Sequence, residues 1–420
     1  MTVSSAAAAD IDVDGVLELT RRHLSTGRAT LGRLMGGAVE VESSGAWITA
    51  GDGRRYLDFG GYGVFILGHR HPKVVEAVRR QLDRHPLASR ILLEPVSALA
   101  AQALAQVAPA GMEHVHFVNS GTEAVEAALK LARAHGFSSL VTTSGGFHGK
   151  TLGSLSVTPN LQYQDAFRPL LPDVLAVPYG DLDAMVAAVQ ARAGRACVIV
   201  EPVQGEAGVV IPPAGYLAGV ARACREHGGF LIVDEIQTGL GRLGAWWGHD
   251  VETVHPDVLL VGKGLSGGVV PVAALVAGST TYGPFGRDPF LHSSTFGASP
   301  LACAAALATV RVIEEEDIVA RAADLGVRLL SAVTALCAAY AGTLVAQVRG
   351  RGLLIGLQFA QQHVSGELVL ALLDRGVLVN HSLNASTVLR LTPPAILSDQ
   401  ELDFFVQVFG DALAALPRRG

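Results

Sequence analysis

Short runs of apolar residues alternate along the chain with stretches in which apolar residues recur every three or four positions. The runs end at glycine or at a charged residue, which is typical of buried strands. They lie at 115–118, 140–143, 174–177, 197–200, 230–233 and 258–261. Helical patterns separate most of them, for example at 182–192 and 216–227. Strands that alternate with helices predict an α/β fold with a mainly parallel sheet between helices.

The pattern changes on both sides of this series. Residues 39–59 alternate between apolar and polar and contain a glycine-rich turn, which predicts an antiparallel meander. From residue 316 onward, helical and strand-like stretches alternate again, as in a smaller α+β unit. We therefore expect an N-terminal segment (1–60) that joins the small domain, a large domain (61–315) and a C-terminal small domain (316–420).

Composition and charge narrow the class of protein. Half of the 420 residues are hydrophobic and only 6% are aromatic, which suits a densely packed α/β enzyme. The net charge of −6 gives no reason to expect nucleic acid or an anionic membrane as a partner. Residues 1–11 lack a cationic region and a long apolar core, and no long uninterrupted apolar run follows, so we expect neither a secretory signal nor a membrane span. Four dispersed cysteines favour a reducing compartment, and we expect a cytoplasmic protein.

Two of the predicted strands end at residues that carry chemistry. Asp234 follows the run 230–233, and Lys263 stands between two glycines after the run 258–261. Alone, the lysine would usually be a surface residue and the acid a turn or cap residue. Together at the carboxyl edge of one sheet they would face one ligand. A pyridinium nitrogen needs an anionic partner, and a desolvated lysine amine is a nucleophile, so the pair predicts pyridoxal phosphate (PLP).

A third strand leads into a candidate anion site. Residues Ser120, Gly121 and Thr122 connect the strand 115–118 to a helix that begins near residue 124. Free N–H groups at a helix N-terminus bind phosphate, and glycine allows a close approach. The same residues also fit an ordinary capping box formed by Ser120 and Glu123, and both interpretations can hold together.

Two other glycine-rich stretches resemble nucleotide-binding motifs. Residues 144–151 approach the phosphate loop G-x-x-x-x-G-K-[ST], but Ser144 replaces the first glycine and we expect strand or loop, not helix, at 152–157. Residues 239–244 match G-x-G-x-x-G, but they are separated from the preceding strand and open no obvious helix. A nucleotide-binding protein therefore stays a remote alternative. The 14 histidines show no metal-binding spacing, and we expect no metal.

Seven short motifs together resemble one known family. They are Asn119–Ala124, Gly146–Gly149, Glu201–Glu206, Asp234–Gly239, Gly262–Gly264, Ser294–Gly297 and Arg390–Pro394. In these motifs, and in their order from about residue 28 to the end, the chain resembles the class III (ornithine/ω-amino acid type) PLP-dependent aminotransferases of fold type I. The resemblance implies a large domain with a mainly parallel seven-stranded sheet, and a smaller α+β domain built from both chain ends.

The resemblance also implies how the cofactor is held. It makes Lys263 the Schiff-base lysine and proton carrier, with Asp234 as the partner of the pyridinium nitrogen. The other implied cofactor residues are Ser120, Gly121 and Thr122 at the phosphate, Phe147 on the ring face beside His148, Glu201 beside the cofactor, and Gln237 near the ring hydroxyl. Thr295 resembles a threonine that reaches the phosphate of the neighbouring subunit, which implies a homodimer with shared active sites.

Four further residues bear on the substrate by the same resemblance. Arg390 resembles the arginine that holds the substrate α-carboxylate, and Glu206 the glutamate that pairs with it when no α-carboxylate is bound. Lys150 stands where amino-acid-specific members often have arginine, and a lysine cannot form the bidentate fork. Tyr62 matches a substrate-contacting tyrosine of ornithine-type members, although a loop tyrosine packed on the core fits equally well.

These residues imply an aminotransferase that works by a ping-pong mechanism. We expect the donor to be a terminal amine, namely ornithine, a diamine or an ω-amino acid, and the acceptor to be a 2-oxo acid such as 2-oxoglutarate or pyruvate. A PLP aminomutase or decarboxylase of the same fold would share every cofactor residue, so both stay open as alternatives.

Overall fold

The computed structural model describes residues 12–252 and 254–416. Residues 1–11, for which the sequence predicts no secretory signal, lie outside this range. Within it the strands, in chain order, are β1 (Glu40–Ser44), β2 (Trp47–Ala50), β3 (Arg55–Asp58), β4 (His114–Val118), β5 (Ser139–Thr143), β6 (Val174–Val177), β7 (Ala196–Val200), β8 (Phe230–Asp234), β9 (Val258–Val261), β10 (Ala273–Ala277), β11 (Val345–Arg351), β12 (Leu354–Phe359), β13 (Val377–Leu378), β14 (Asn380–Ser382) and β15 (Ala385–Leu391).

The helices connect these strands and cover their faces. In chain order they are α1 (Val13–His23), α2 (Thr26–Leu34), α3 (Pro72–Arg84), α4 (Pro95–Val107), α5 (Gly121–Ala134), α6 (Leu152–Ser156), α7 (Leu161–Gln164), α8 (Leu182–Gln190), α9 (Tyr216–Glu226), α10 (Ser279–Arg287), α11 (Pro300–Glu315), α12 (Ile318–Leu336), α13 (Gln362–Asp374) and α14 (Asp399–Ala414).

The central sheet has seven strands in the order β4-β10-β9-β8-β7-β5-β6. Strand β10 is antiparallel to both of its neighbours, and the other pairs are parallel. This confirms the predicted fold class. The sequence pattern did not single out β10, because its residues 273–277 are rich in alanine, which has little preference for strands.

Helices pack on both faces of this sheet. In β7 and β8, Ile199 and Ile232 join a core with the apolar residues of α5, whereas the adjacent Val198 and Leu231 join a separate core with those of α8 and α9. Successive side chains of a strand point to opposite faces, so a strand covered on both sides has to be apolar throughout. The uninterrupted apolar runs in the sequence follow from this arrangement.

Two smaller sheets flank the central one, in the orders β1-β2-β3-β13 and β11-β12-β15-β14. In the first, Val377 of β13 pairs in parallel with Leu57 of β3, so residues near the two ends of the chain share a sheet. The division of the chain into three parts stays a prediction, and this pairing supports it.

One local prediction was wrong. Residues 152–156 form the short helix α6, where the sequence predicts strand or loop. The carboxylate of Glu126, on α5, accepts the backbone N–H groups of Gly153 (2.9 Å) and Ser154 (3.1 Å) at the start of this helix. The contact from α5 leaves no local sequence signal. The local capping box of Thr151 and Ser154 has serine where the usual sequence pattern has Glu or Gln.

One helical segment is long and apolar, although the sequence contains no long uninterrupted run of apolar residues there. Residues Ile318–Leu344 are long and apolar enough to cross a membrane by length and composition alone. In the structure Leu325, Leu329 and Val333 of this segment are buried in the same core as Phe405 and Phe409 of α14. One face of the segment is therefore packed in the protein core, with 33% of its most apolar window buried.

Candidate active site

The predicted acid and lysine lie side by side at the carboxyl edge of the central sheet. Asp234 is the last residue of β8, and Lys263 lies two residues beyond the adjacent parallel strand β9. Both line a cavity of about 240 Å³. Lys263 has φ +44°, in the left-handed region that side-chain-bearing residues rarely adopt. Strained backbone of this kind is concentrated at functional sites.

The environment of Lys263 favours a neutral amine. Burial lowers the pKa of Lys263, with a further contribution from the positive charge of Arg390, whereas the charges of Glu206 and Asp234 oppose the shift. The net direction is downward. The Nζ atom therefore holds a free electron pair at lower pH than an ordinary lysine would.

Asp234 is held as an acceptor on the other side of the cavity. Its Oδ2 lies 2.7 Å from Nδ1 of His148, and its Oδ1 accepts the backbone N–H of Ile236 at 3.1 Å. Burial alone would lower the pKa of His148, but the hydrogen bond and the charge of Asp234 outweigh it and raise that pKa. A protonated His148 stabilises Asp234 as an anion, which is the form that a pyridinium partner requires.

Glu201 fixes the loop that carries the predicted stacking residue. Its Oε1 accepts the backbone N–H of Phe147 at 3.0 Å, and Phe147 lines the cavity. Glu201 is 5% exposed, and burial raises its pKa to about 7, although the charge of His148 opposes this.

The N-terminus of α5 forms the anion-binding end of the cavity. Ser120 is its N-cap, and its Oγ accepts the N–H of Glu123 at 3.4 Å. Glu123 does not complete the predicted capping box, because its carboxylate accepts the N–H of Asn119 (2.7 Å) instead. Gly121 and Thr122 line the cavity, and the first N–H groups of a helix have no intrahelical partner. The hydroxyl of Thr122 lies 2.6 Å from that of Ser154, so the backbone N–H groups are what α5 offers to a phosphate.

Glu206, which also lines the cavity, forms an ion pair with Arg390. Arg390 on β15 is fully buried, and its Nη1 lies 2.7 Å from Oε1 of Glu206. Glu206 also accepts the N–H of Leu383 (2.9 Å) and the amide of Gln237 (3.3 Å). Burial would raise the pKa of Glu206, but the charges of Arg390 and Lys263 outweigh it and lower that pKa. Beyond this ion pair at Nη1, Nε and Nη2 of Arg390 have no hydrogen-bond partner within residues 12–252 and 254–416.

Five of the predicted site residues lie outside the cavity lining. Two of them, Ser120 at the N-terminus of α5 and Arg390 in its ion pair with Glu206, are described above. The other three are Tyr62, Lys150 and Thr295. Tyr62 is 52% exposed, on the single turn Gly61–Gly63, and has φ +49°. Lys150 is exposed, with Nζ 3.8 Å from the ring centroid of Tyr163. Thr295 is exposed as well and lines a separate cavity of about 500 Å³. Their predicted roles stay predictions.

Other residues line the site without having been predicted. Gly149 has φ +118°, and a Cβ there would clash with the side chain of Thr122, so glycine is required. Ile236 lines the cavity beside Gly121, where an added Cβ would come within 2.9 Å of the Ile236 side chain. Both lie inside motifs that carry the family resemblance, and this position in the motifs could have identified them from the sequence. The N–H of Leu383 is a main-chain group and leaves no signal in the sequence.

The donors and acceptors of the cavity fit PLP. A helix N-terminus suits its phosphate, an anionic carboxylate suits its ring nitrogen, and a lysine amine lies in the same wall. The buried atoms His148 Nε2 and Gln237 Oε1 have no hydrogen-bond partner in the described part of the chain. Buried polar atoms usually have partners, and a polar ligand would provide them.

The fold and the site together define a PLP-dependent transferase of fold type I. The family model described as Aminotransferase class-III matches residues 34–413, and the chain belongs to this family of PLP-dependent aminotransferases. The resemblance predicted from the motifs is thereby confirmed.

Solved structures agree with this assignment. The ornithine aminotransferase of Toxoplasma gondii, whose active site holds PLP at partial occupancy, is 30% identical with a TM-score of 0.89, over 96% of this chain and 95% of that one. The ornithine δ-aminotransferase of Plasmodium falciparum is 29% identical with a TM-score of 0.78, over 90% and 93%. An (S)-enantioselective ω-transaminase from Thermomicrobium roseum is 26% identical with a TM-score of 0.87, over 97% and 99%.

Proposed function

We propose that this aminotransferase moves an amino group from a terminal amine to a 2-oxo acid by a ping-pong mechanism. The donor is ornithine, a diamine or an ω-amino acid, and the acceptor is 2-oxoglutarate or pyruvate. The observation that carries the proposal is the buried ion pair between Glu206, which lines the cofactor cavity, and Arg390.

The pair solves a problem that two unlike substrates create at one site. A 2-oxo acid brings a carboxylate next to its reacting carbon, and an arginine binds such a group with a bidentate fork. A terminal amine brings no carboxylate there, which would leave a buried, uncompensated cation. Glu206 neutralises Arg390 in that half of the reaction. Because Nε and Nη2 of Arg390 have no partner among the described residues and Nη1 contacts only Glu206, all of its donors become available when Glu206 is displaced.

The other residues of the cavity supply positioning and proton transfer. When bound, PLP withdraws electrons from the substrate carbon that carries the amino group. Nζ of Lys263, whose pKa is lowered by burial, would accept the proton that this carbon loses and carry it to the cofactor. His148 holds Asp234 in its anionic form. The N-terminus of α5 fixes the phosphate end.

The solved neighbours support a terminal amine as donor, since they include ornithine aminotransferases and an ω-transaminase. The position of Lys150 supports a limit on the substrate. Its ammonium lies on the Tyr163 ring, and a point charge does not replace the arginine fork that a second substrate carboxylate would need.

The test is a screen of amine donors with 2-oxoglutarate and pyruvate, in which the glutamate or alanine formed is measured. We expect turnover with ornithine, diamines or ω-amino acids. Glu206→Gln should lower kcat/KM for these donors by about 10-fold to 100-fold, because glutamine cannot neutralise Arg390. The same variant should change kcat/KM for α-amino acids by less than about threefold.

The matched control is Glu314→Gln, which alters an exposed glutamate on α11. It should leave both classes of donor unchanged. Good turnover of α-amino acids with no response to any terminal amine would contradict the proposal. If Glu206→Gln lowered kcat/KM equally for terminal amines and for α-amino acids, the role proposed for the ion pair would be contradicted.

We also propose that the enzyme is a homodimer with shared sites. Apolar side chains are exposed on two neighbouring segments, with Ile91 at 90%, Leu92 at 78%, Leu93 at 103% and Phe290 at 85% of their full exposure. Arg90 on the first segment donates to the carbonyls of Ser294 (2.5 Å) and Thr295 (3.3 Å) on the second. A surface with so many exposed apolar groups is typical of an interface, and Thr295 lies within it.

A mixed dimer tests this proposal directly. Chains carrying Lys263→Ala and chains carrying Thr295→Ala, each with its own affinity tag, are combined and the mixed species is isolated. If Thr295 serves the partner's site, each mixed dimer contains one site with both residues, and we expect about half of the wild-type activity. If Thr295 serves its own chain, no site has both residues and the mixed dimer stays as impaired as its parents. A monomer in light scattering would exclude the dimer outright.

We propose a cytoplasmic location as well. Cys197, Cys224, Cys303 and Cys337 are buried as free thiols, which suits a reducing compartment. Cell fractionation followed by immunodetection tests this, and recovery in a secreted or membrane fraction would contradict it.

A further inference from the structure

The glycine-rich segment 239–244 matches a dinucleotide-binding motif in sequence, but in this fold it does not connect a strand directly to a helix as that motif does. It follows β8 as a loop and carries Arg242, which is 1% exposed. The guanidinium of Arg242 donates to the backbone carbonyls of Pro393 (2.5 Å), Leu353 (3.3 Å) and Gly63 (3.5 Å). Burying a guanidinium costs free energy, and these contacts include no carboxylate that would offset it. The position of Arg242 therefore needs an explanation.

Two of the three carbonyls belong to segments that carry predicted substrate residues. Gly63 follows Tyr62 directly, and Pro393 lies three residues after Arg390. We name residues 60–66 the tyrosine loop and residues 392–395 the post-β15 segment. Arg242 holds both with one rigid, forked group.

The two segments are also joined to each other. The hydroxyl of Thr392 donates to the carbonyl of Gly60 at 2.6 Å, and the N–H of Ala395 donates to that of Ile66 at 2.8 Å. The tyrosine loop and the post-β15 segment thus form one unit. Arg242 connects this unit to the loop after β8, the strand that ends at Asp234.

The unit lies against the reacting groups. A Cβ added to Gly63 would lie 3.5 Å from Cγ of Gln237 and 3.9 Å from Cδ of Lys263. The backbone of Arg242 is tied in the same way, since its carbonyl accepts the N–H of Leu353 at 2.8 Å. A displacement of Arg242 would therefore move the tyrosine loop relative to Lys263.

The charges around Arg242 agree with a positioning role. Burial lowers the pKa of Arg242 to about 9; the charge of Asp58 opposes the shift and that of Arg390 adds to it. Asp58 in turn accepts the N–H groups of Gly60 (2.8 Å) and Gly61 (3.0 Å) at the start of the tyrosine loop. The acid that offsets the buried charge thus binds the start of the tyrosine loop.

We propose that Arg242 is a positioning residue that fixes the distance between the tyrosine loop and Arg390, and so sets how a substrate carboxylate is held relative to Lys263. The inference rests on the proposed function for the carboxylate role of Arg390. The contacts of Arg242 with the two segments do not depend on it.

The test compares the holoenzyme with Arg242→Met, Arg242→Lys and Thr392→Val. Hydrogen exchange is measured for peptides that cover the tyrosine loop and the post-β15 segment. KM and kcat are measured for the 2-oxo acid. For Arg242→Met we expect faster exchange in both segments and a KM raised by about tenfold or more, with kcat changed by less than about threefold, because binding of the carboxylate is what loosens. Arg242→Lys should recover part of the loss, and Thr392→Val should show the same pattern more weakly.

The matched control is Arg349→Met. Arg349 also donates to two backbone carbonyls of another segment, those of Gly208 (2.5 Å) and Val209 (3.0 Å). Its loss should leave exchange in the tyrosine loop and the KM for the 2-oxo acid as in the wild type.

Three outcomes would overturn the inference. The first is unchanged exchange and unchanged KM in Arg242→Met. The second is faster exchange across the whole chain in both Arg242→Met and Arg349→Met, which would make Arg242 a general stabilising residue. The third outcome concerns the case in which Arg242→Met does not fold. In that case, wild-type hydrogen exchange and wild-type KM in both Arg242→Lys and Thr392→Val would overturn the inference. A wild-type enzyme that binds no 2-oxo acid would contradict the proposed function instead, and the exchange experiment would then decide the role of Arg242.

Discussion

The two ends of the candidate active site are built differently. At the cofactor end, Asp234 and Lys263 come from adjacent strands of one sheet and His148 is almost completely buried. At the proposed substrate end, Tyr62 and Lys150 come from loops and are exposed, and Arg390 is buried on a strand of a separate sheet. The reacting pair of the cofactor end is therefore fixed by one sheet, whereas the proposed substrate end depends on how two loops are held relative to a strand of another sheet.

This difference separates what a family shares from what an individual enzyme selects. Strand ends in a packed sheet have little freedom, so the residues there serve the same cofactor in any enzyme of this kind. Loops tolerate change, and specificity is concentrated in them. Substitutions of the reacting residues at the cofactor end should lower activity with every substrate. Substitutions at the substrate end should change kcat/KM for some substrates more than for others.

The largest effect is expected at Lys263. Lys263→Ala should reduce kcat/KM by about 10⁴-fold, because both the covalent attachment and the proton carrier are lost. The purified variant should also lose the visible absorbance of the bound cofactor. Lys73→Ala is the control, since that lysine pairs with Glu315 (2.8 Å) on the surface and should behave as wild type. A Lys263→Ala enzyme that kept both the absorbance and the activity would contradict our assignment.

Asp234→Asn should have the next largest effect. The loss of the anion should reduce kcat by about 10²-fold to 10³-fold. It should also lower the pKa of His148, because the hydrogen bond and charge of Asp234 are what raise it above the effect of burial. Nuclear magnetic resonance of labelled histidine measures this pKa. Asp165→Asn, on the exposed surface, is the control. An unchanged pKa of His148 would show that Asp234 does not set its protonation.

Glu201→Gln should change the pH dependence of stability in the cofactor-free enzyme. Folding raises the pKa of Glu201 from 4.5 to about 7, so the folded state binds this proton more tightly. The wild type therefore loses stability as the pH rises from about 4.5 to about 7 and stays less stable above that range. Glutamine does not titrate, so the Glu201→Gln variant lacks this pH-dependent loss of stability. We expect the variant to be more stable by at most about 3 kcal/mol at pH 8 and unchanged near pH 4.5. Calorimetry at both pH values measures this, and an equal gain at both would contradict it.

The smallest effect is expected at Lys150. An exposed cation–π contact is worth about 0.5–1 kcal/mol, so Lys150→Met should change stability little. It should alter kcat/KM for terminal amines by less than about threefold. Tyr163→Phe keeps the ring and should match the wild type. A KM raised about tenfold for a donor with a second carboxylate would show that Lys150 binds that group after all.

The cofactor end could be predicted from the sequence because its signals are local. A run of apolar residues that ends at Asp234, and another that ends before Lys263, mark two strand ends. The adjacency of β8 and β9 in the sheet then brings the two residues together. Both strands needed only short-range patterns to be recognised.

The remaining features depend on contacts between distant segments. The helix α6 is capped by Glu126 of α5, and the pair of Glu206 and Arg390 joins residues far apart in the chain. Arg242 binds three carbonyls from separate segments. Every residue has a main-chain carbonyl, so the residue types in a sequence do not indicate which carbonyls will accept a hydrogen bond from a distant side chain. The resemblance to a family identified Glu206 and Arg390 but not Arg242.

The parallel pairing of β13 with β3 also constrains how the chain acquires its structure. The partners Val377 and Leu57 are separated by most of the chain. During synthesis the meander β1-β2-β3 leaves the ribosome long before the strand that completes its sheet, and contacts between such distant segments form late. Until then β3 presents an unpaired edge to other chains. Residues made late in synthesis therefore protect residues that were made much earlier.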